Sequence, residues 1–477
     1  MPELTVAPRE AAAPARENTV LAVLTLAALV FSMLQSLVVP ALTMIQRDLA
    51  ARETGITWVV TGMLLSSAVC TPILGRLGDM YGRGLMLRVS LLVLVAGIAL
   101  AGVASSIGVL VVARFVQGAG GAIVPLSFGI VREQLPQTRV ASSIGLISAM
   151  LAVGAATGIV LSGPIATGLG YRWLFWIPLV AMVPTTVLAF VAMPSVRAER
   201  GEALDLVGAV LLSGWLVCLL VGVSQGGRWG WSSARVAGIF AGAGVLLVAW
   251  VAAELRSHEP LVDIRLLLLP SLLRVNVVGF TTGIAMQATF TFVPRFVQIP
   301  ASTGFGLGVS PSRAGLLVLP WSVGSFVTGM YSGRIAARHG SKLPLVVGCA
   351  LAAVPLVLLA TVHGEVWAVC VALGLFGTGM GLVAAAMPTL IVVEAPPSQT
   401  GVAAGMNQNI RTIGAAVGTQ SIAAVIAAAN GSDGTPDESG YVVSFVVLAV
   451  VCVVATLVAL TVPSPRGALP VAGRAGR

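Results

Sequence analysis

Gly75-Arg76-Leu77-Gly78-Asp79-Met80-Tyr81-Gly82-Arg83 is the stretch whose reading decides the fold. It is short, charged and glycine-rich, and it separates two apolar runs at 56–75 and 85–105. Each run has the roughly 20 residues that a helix rising 1.5 Å per residue needs to cross a bilayer. The glycines permit a tight turn and close helix approach. Asp79 suits a helix N-terminus and an arginine partner, an arrangement that would hold two parts of the molecule together in one state. An ordinary charged connecting loop is the plain alternative.

Working outward, fourteen such runs lie between the first at 19–45 and the last at 441–462. Charged residues make up 9% of the 477 residues and apolar ones 57%. A soluble domain carries about 25% charge, so this chain cannot hydrate a surface of its size, and the lipid bilayer must cover much of it. The expected fold is an all-α membrane protein. A net charge of +9 raises nucleic acid as a partner, but the basic residues are spread between apolar runs, so no nucleic-acid partner is expected. Only Lys342 is a lysine, and with abundant Ala and Gly this is the bias of a high-GC bacterial genome. Patterns such as Gly377-Thr378-Gly379-Met380-Gly381 lie inside apolar runs and read as helix packing. No Walker-type Gly-Lys-Ser is present, and the five cysteines show no metal or disulfide spacing. Neither an enzyme, a cofactor nor a metal is implied.

With the N-terminus inside, the cytoplasmic segments hold 18 Lys and Arg and the outer loops 7. Arg114 and Arg411 lie within spans. This bias predicts a multi-pass protein of a bacterial cell membrane with both termini cytoplasmic. A faint repeat divides the chain. Gly75-Arg76-(x)5-Gly82 returns as Gly333-Arg334-(x)5-Gly340, and Gln137-Thr138-Arg139-Val140-Ala141 as Gln399-Thr400-Gly401-Val402-Ala403. The predicted organisation is a disordered tail at 1–18, a six-helix half at 19–193, a linker with two inserted helices at 194–269, a second six-helix half at 270–462 and a tail at 463–477. Parallel halves of this kind build one large class of transporters.

The Gly75–Arg83 loop resembles the signature of the major facilitator superfamily, and fourteen spans resemble its drug:proton antiporter branch. Trp58-Val59-Val60-Thr61, Arg114-Phe115-Val116-Gln117-Gly118, Tyr171-Arg172-Trp173 and Ser310-Pro311-(x)2-Ala314-Gly315-Leu316 with Pro320 extend the likeness from about residue 19 to 462. The resemblance implies the major facilitator fold, export of small amphipathic molecules such as drugs or secondary metabolites, and an inward proton gradient as the driving force. It also implies a role in proton coupling for Arg114. The branch's fifth-span signature is matched at Gly145, Gly154, Gly158 and Gly163, but Ile159 and Ser162 stand where Pro and Gly belong. The aspartate usual in the first span is replaced by Leu34. Carboxylates left as proton carriers are Asp79, Glu133, Asp48 and Glu53, all near span ends.

A charge inside a span costs about 2.5–3.5 kcal/mol on insertion scales, so it faces a cavity or a partner. Arg114 and Arg411 are therefore expected in transport or coupling with Asp79 and Arg83. Gly75 and Gly82 join the fifth-span glycines as conformational positions. Gln35, Met33, Gln117, Met286, Gln287, Phe290, Trp321 and Asn407 are expected to line a substrate cavity, where Met and aromatic groups adapt and amides donate. Lacking a central carboxylate, that cavity should not favour cations strongly. A uniporter, an exporter of a lipid or anionic metabolite, and a membrane sensor that keeps the fold without turnover stay open, and a monomer is expected.

Overall fold

The computed structural model describes residues 14–193, 205–257, 260–396, 399–429 and 437–463. Residues 1–13, 194–204, 258–259, 397–398, 430–436 and 464–477, which include parts of the tails and linker read above, lie outside them. Among the described residues, fourteen helices are long and apolar enough to span a membrane. We number them α1 Arg16–Ala41, α2 Trp58–Tyr81, α3 Arg83–Gly102, α4 Ile107–Gln134, α5 Gln137–Leu169, α6 Trp173–Ala192 and α7 Leu206–Gly227. The remainder are α8 Ala234–Arg256, α9 Pro270–Gln298, α10 Arg313–Ser332, α11 Lys342–Thr361, α12 Val366–Glu394, α13 Thr400–Ala429 and α14 Glu438–Thr461. No strand occurs among the described residues. Helices satisfy their own backbone hydrogen bonds, which lipid cannot do for them. The first helical turn reaches back to Pro14, into the stretch read as a disordered tail. Arg139 of α5 explains this: it binds Glu17 at 3.0 Å and Asn18 at 2.9 Å.

Packing repeats along the chain. Helix α1 lies on α5 as α9 lies on α13, α3 on α6 as α11 on α14, and α2 on α4 as α10 on α12. Across the two sets, α2 meets α13 and α5 meets α10. Helix α7 packs against α2 and α13, with α8 lying on α7.

Glycines set the closest approaches. A Cβ on Gly154 would collide with the Leu29 carbonyl of α1, and one on Gly158 would lie 2.6 Å from the Met33 carbonyl. Gly145 faces α10, where a Cβ would sit 2.6 Å from the Gly329 carbonyl. The same spacing returns 260 residues later as Gly405, Gly414 and Gly418. Gly414 meets the Phe280 carbonyl and Gly418 the Ile284 backbone of α9, while Gly405 meets Thr71 and Pro72 of α2. Small residues let helix backbones touch where lipid supplies no hydrophobic drive for association. Gly163 is different, because a Cβ there would meet nothing within 4 Å. Its neighbour Ser162, fully buried, makes the contact, donating to the Leu37 carbonyl of α1 at 2.6 Å.

These contacts predict an asymmetric response to substitution. Gly154→Val and Gly414→Val should each destabilise the folded protein by about 1–3 kcal/mol through overpacking, whereas Gly163→Ala should leave stability unchanged. Thermal unfolding followed by size-exclusion of the detergent-solubilised protein measures both effects.

Candidate functional site

The Gly75–Arg83 segment forms a latch. Asp79 lies near the end of α2 with its side chain buried. It accepts hydrogen bonds from the backbone N–H of Gly401 at 3.2 Å and of Val402 at 3.1 Å. These are free N–H groups at the start of α13, where the helix dipole also favours a negative charge. Arg83 grips the same carboxylate through Nε at 2.8 Å and Nη2 at 2.6 Å, and reaches Glu133 of α4 through Nη1 at 2.7 Å. Gly82 turns the chain between α2 and α3 at φ 102°, a conformation that favours glycine. Gly75 is required by proximity, since a Cβ there would lie 2.9 Å from the Gly401 carbonyl. Arg132 of α4 adds bonds to the Ala395 carbonyl at 2.8 Å and to Thr400 Oγ1 at 2.7 Å. Farther in, Asn409 donates to the Ala68 carbonyl at 2.7 Å and Ser148 to the Ala384 carbonyl at 2.9 Å.

Helices α7 and α8 brace this joint from outside. Val402 and Met406 pack with Leu212, Trp215, Trp250 and Val262 in one apolar cluster. Beneath it Glu254 is 3% exposed, accepting from Trp250 Nε1 at 2.9 Å and from the Val262 N–H at 3.3 Å. Glu254 lies in the last turn of α8. The signal for its burial was Trp250 one helical turn earlier, a donor at hydrogen-bonding spacing. Likewise the second copy of the glycine spacing, Gly405, Gly414 and Gly418, stands plainly in the sequence but was not singled out.

The two mid-span arginines differ. Arg114 is 2% exposed. Its Nε donates to the Val59 carbonyl of α2 at 3.0 Å and its Nη1 to Gln117 Oε1 at 2.9 Å. Gln117 is itself fully buried and donates to the Gly97 carbonyl at 3.0 Å. It positions Arg114 and does not line a cavity. Arg411 is half-buried and donates through Nη2 to Gln408 at 2.5 Å. Its backbone packs tightly against Gly283 of α9.

The other predicted lining residues fall into separate groups. Phe290 and Trp321 meet edge to face at 5.5 Å, and Trp321 meets Phe376 at 5.0 Å. Met286 and Gln287 are half-buried on the same helix as Phe290. Asn407 is buried and bonded to Asn276 at 2.9 Å, a pair that ties α13 to α9. On α1, Met33 is buried against α5, Leu34 is fully buried, and Gln35 is half-buried. A cavity of about 370 Å³ at the opposite end from the latch is lined by Asp48, the Leu169–Trp173 turn and Trp176. It includes none of the predicted lining residues.

Asp79→Asn should open the latch. Losing charge-assisted bonds worth about 1.5–3 kcal/mol each should shift the closed-to-open ratio at least tenfold. Spin labels at exposed Thr138 and Arg338, one in each set of helices, should show a longer distance population gain weight in the variant.

The chain is 30% identical over 407 residues to the tetracenomycin C resistance and export protein of Streptomyces glaucescens, an alignment covering 83% of this chain and 73% of that one. It is 30% identical over 395 residues to the multidrug resistance protein Stp of Mycobacterium tuberculosis, covering 81% and 72%. Across these and six further curated relatives it spans between 60% and 77% of their length. The solved structure of the human organic anion transporter MFSD10 (TETRAN) superposes with a TM-score of 0.68 at 15% identity over 93% of this chain and 99% of that one, a likeness of fold. The family model of the Major Facilitator Superfamily matches residues 24–419 and 307–476. The chain is a multi-pass membrane protein and belongs to the major facilitator superfamily.

Proposed function

We propose that this protein exports small amphipathic compounds, drugs or secondary metabolites, across a bacterial cell membrane in exchange for protons. The observation that carries the reading is the latch, a buried carboxylate of α2 seated on the N-terminus of α13. A transporter working by alternating access needs two bodies that rock about a site between them, and a joint that can part without unfolding either. Asp79 and the glycine-to-glycine seam provide such a joint. The arginine bias of the sequence puts the latch on the cytoplasmic side with both termini, so this form is closed to the cytoplasm. Two relatives are named for resistance to, or export of, antibiotics and drugs, which favours export over uptake. The protein is taken to act as a monomer.

Arg114 is the coupling residue in this reading. Its charge is held inside the membrane by one carbonyl and one amide, so it is sensitive to any rearrangement of α2 against α4. The test is efflux from proteoliposomes with an imposed proton gradient and a pH-sensitive dye inside. Arg114→Ala should abolish gradient-driven efflux and the accompanying proton movement, with membrane insertion near normal. Arg114→Lys, which keeps the charge but not the fork of donors, should retain a fraction of it. Binding without flux in the unaltered protein would mark a sensor. Flux without proton movement would mark a uniporter.

A further inference from the structure

Helix α13 is spoken for on three sides. With 3.6 residues per turn, successive residues advance about 100°. Gly414 and Gly418 face α9. Gly405 and Asn409 face α2. Val402, Met406 and Ile413 face the inserted helices, and just beyond them Ser421, Ala424 and Ala428 are exposed on the outer surface. Farther along, Ile422 and Ile426 pack with Tyr441 and Phe445 of α14, but in the first half of the helix the arc left over, between the α9 side and the α2 side, carries Gln408, Arg411 and Ala415, each half-buried. It points into the space between the two sets of helices.

Arg411 therefore presents a positive charge to the interior about 16 Å from the start of α13, eleven residues in at 1.5 Å each. Among the described residues its one side-chain partner is the neutral amide of Gln408. No Asp or Glu pairs with it. Such a charge is costly in a low-dielectric setting unless it is neutralised. Its neighbour on α9 is Gly283, and seven residues on, two turns along the same face, stands Phe290, edge-on to Trp321. Seven residues at 1.5 Å place that aromatic pair about 10 Å farther along, with half-buried Met286 between.

We infer that the cargo is an amphipathic organic anion whose acidic group docks on Arg411, with Gln408 steadying the guanidinium. Its aromatic body lies along Met286 and Phe290 toward Trp321. A carboxylate or phenolate on a two- or three-ring body matches the 10 Å span. The guanidinium offers such a group two parallel N–H donors, and the aromatic pair offers edge and face contacts. This rests on the export reading but adds a charge class to it.

The test uses three fluorescent probes of one shape, anthracene-2-carboxylate, 2-anthracenemethanol and 2-(aminomethyl)anthracene, whose substituent lies along the long axis of the rings. Binding is measured on the purified full chain in detergent without a gradient. The carboxylate should bind at least tenfold more tightly than the ammonium. Arg411→Gln should weaken the carboxylate at least tenfold and leave the alcohol within twofold, and Arg411→Lys should recover part of the loss. Phe290→Ala should weaken all three alike. A preference for the ammonium probe, or an Arg411→Gln protein that binds the carboxylate as before, overturns the assignment. If Arg411→Gln does not fold, the probe ranking of the unaltered protein and the Lys variant decide it. Export is scored separately in proteoliposomes: transport of the ammonium probe alone would refute the anion assignment and keep the export reading. Binding of the carboxylate with no flux of any probe would do the reverse.

Discussion

A buried carboxylate seated on a helix N-terminus ties α2 of one set of six helices to α13 of the other, beside bonds from Arg132, Asn409 and Ser148. Asp79 takes two backbone N–H bonds from α13 and two from Arg83. Buried between helices, those bonds are stronger than in water because little solvent competes for them. The seam beside them has the opposite character. Gly75 lies on Gly401, Gly405 on Pro72 and Gly145 on Gly329, so backbones slide on backbones and few side chains interlock. Strong, localised electrostatics next to a smooth surface make a joint with two discrete states. A seam of interdigitated leucines would resist opening along its whole length.

The repeat that builds the two halves is broken at this point, and the break has a physical meaning. At the position equivalent to Asp79 in the second copy, the sequence has Ala337. Among the described residues no ion pair bridges α5 and α10, which meet through glycine contacts, with Ser148 of α5 donating to the Ala384 carbonyl of α12. Among the described residues charge clamps the α2–α13 seam through Asp79 and the neighbouring α4–α13 contact through Arg132, and α2 and α13 are the helices against which the inserted helix α7 packs. Glu254 fixes the segment after α8 through Val262, which shares an apolar cluster with Val402, the residue whose N–H holds Asp79. The two added helices are thus mechanically continuous with the latch.

How much of this was legible in the sequence differs from residue to residue. The spans follow from hydropathy because lipid imposes one rule on every helix. Asp79 was legible because an acidic residue among glycines between two spans has few uses, although its partner strand of N–H groups, 322 residues away, was not. Gln117 was misplaced into the cavity. Its i+3 spacing from Arg114 pointed to intrahelical pairing, but which face of α4 is buried depends on α2 and α3. The position of Gly163 shows the same limit: family spacing favoured the glycine, whereas the packing uses the hydroxyl of Ser162. The first helix starts earlier than its apolar run because Arg139, on a distant helix, binds Glu17 and Asn18. Each of these outcomes was set by contacts between helices, which hydropathy does not encode.

The treatment of charge inside the membrane separates the two arginines and bears on the driving force. Arg114 is enclosed, its donors directed to a carbonyl and to Gln117. Arg411 has one amide partner and an open side. A carboxylate in the middle of the helices would pair with Arg411 and lose its freedom to take up protons, so the apolar Leu34 in α1 and a guanidinium on α13 bonded to the Gln408 amide fit one design. In that design a proton carrier cannot share the centre with the cargo, because the positive field of Arg411 would oppose its protonation. It must act nearer a span end. Arg83 already bridges two carboxylates there, Asp79 and Glu133, and adding a proton to either weakens the bonds that close the joint. In the proposed exchange, proton uptake would work on the latch itself, leaving the cargo to be recognised by its charge at Arg411.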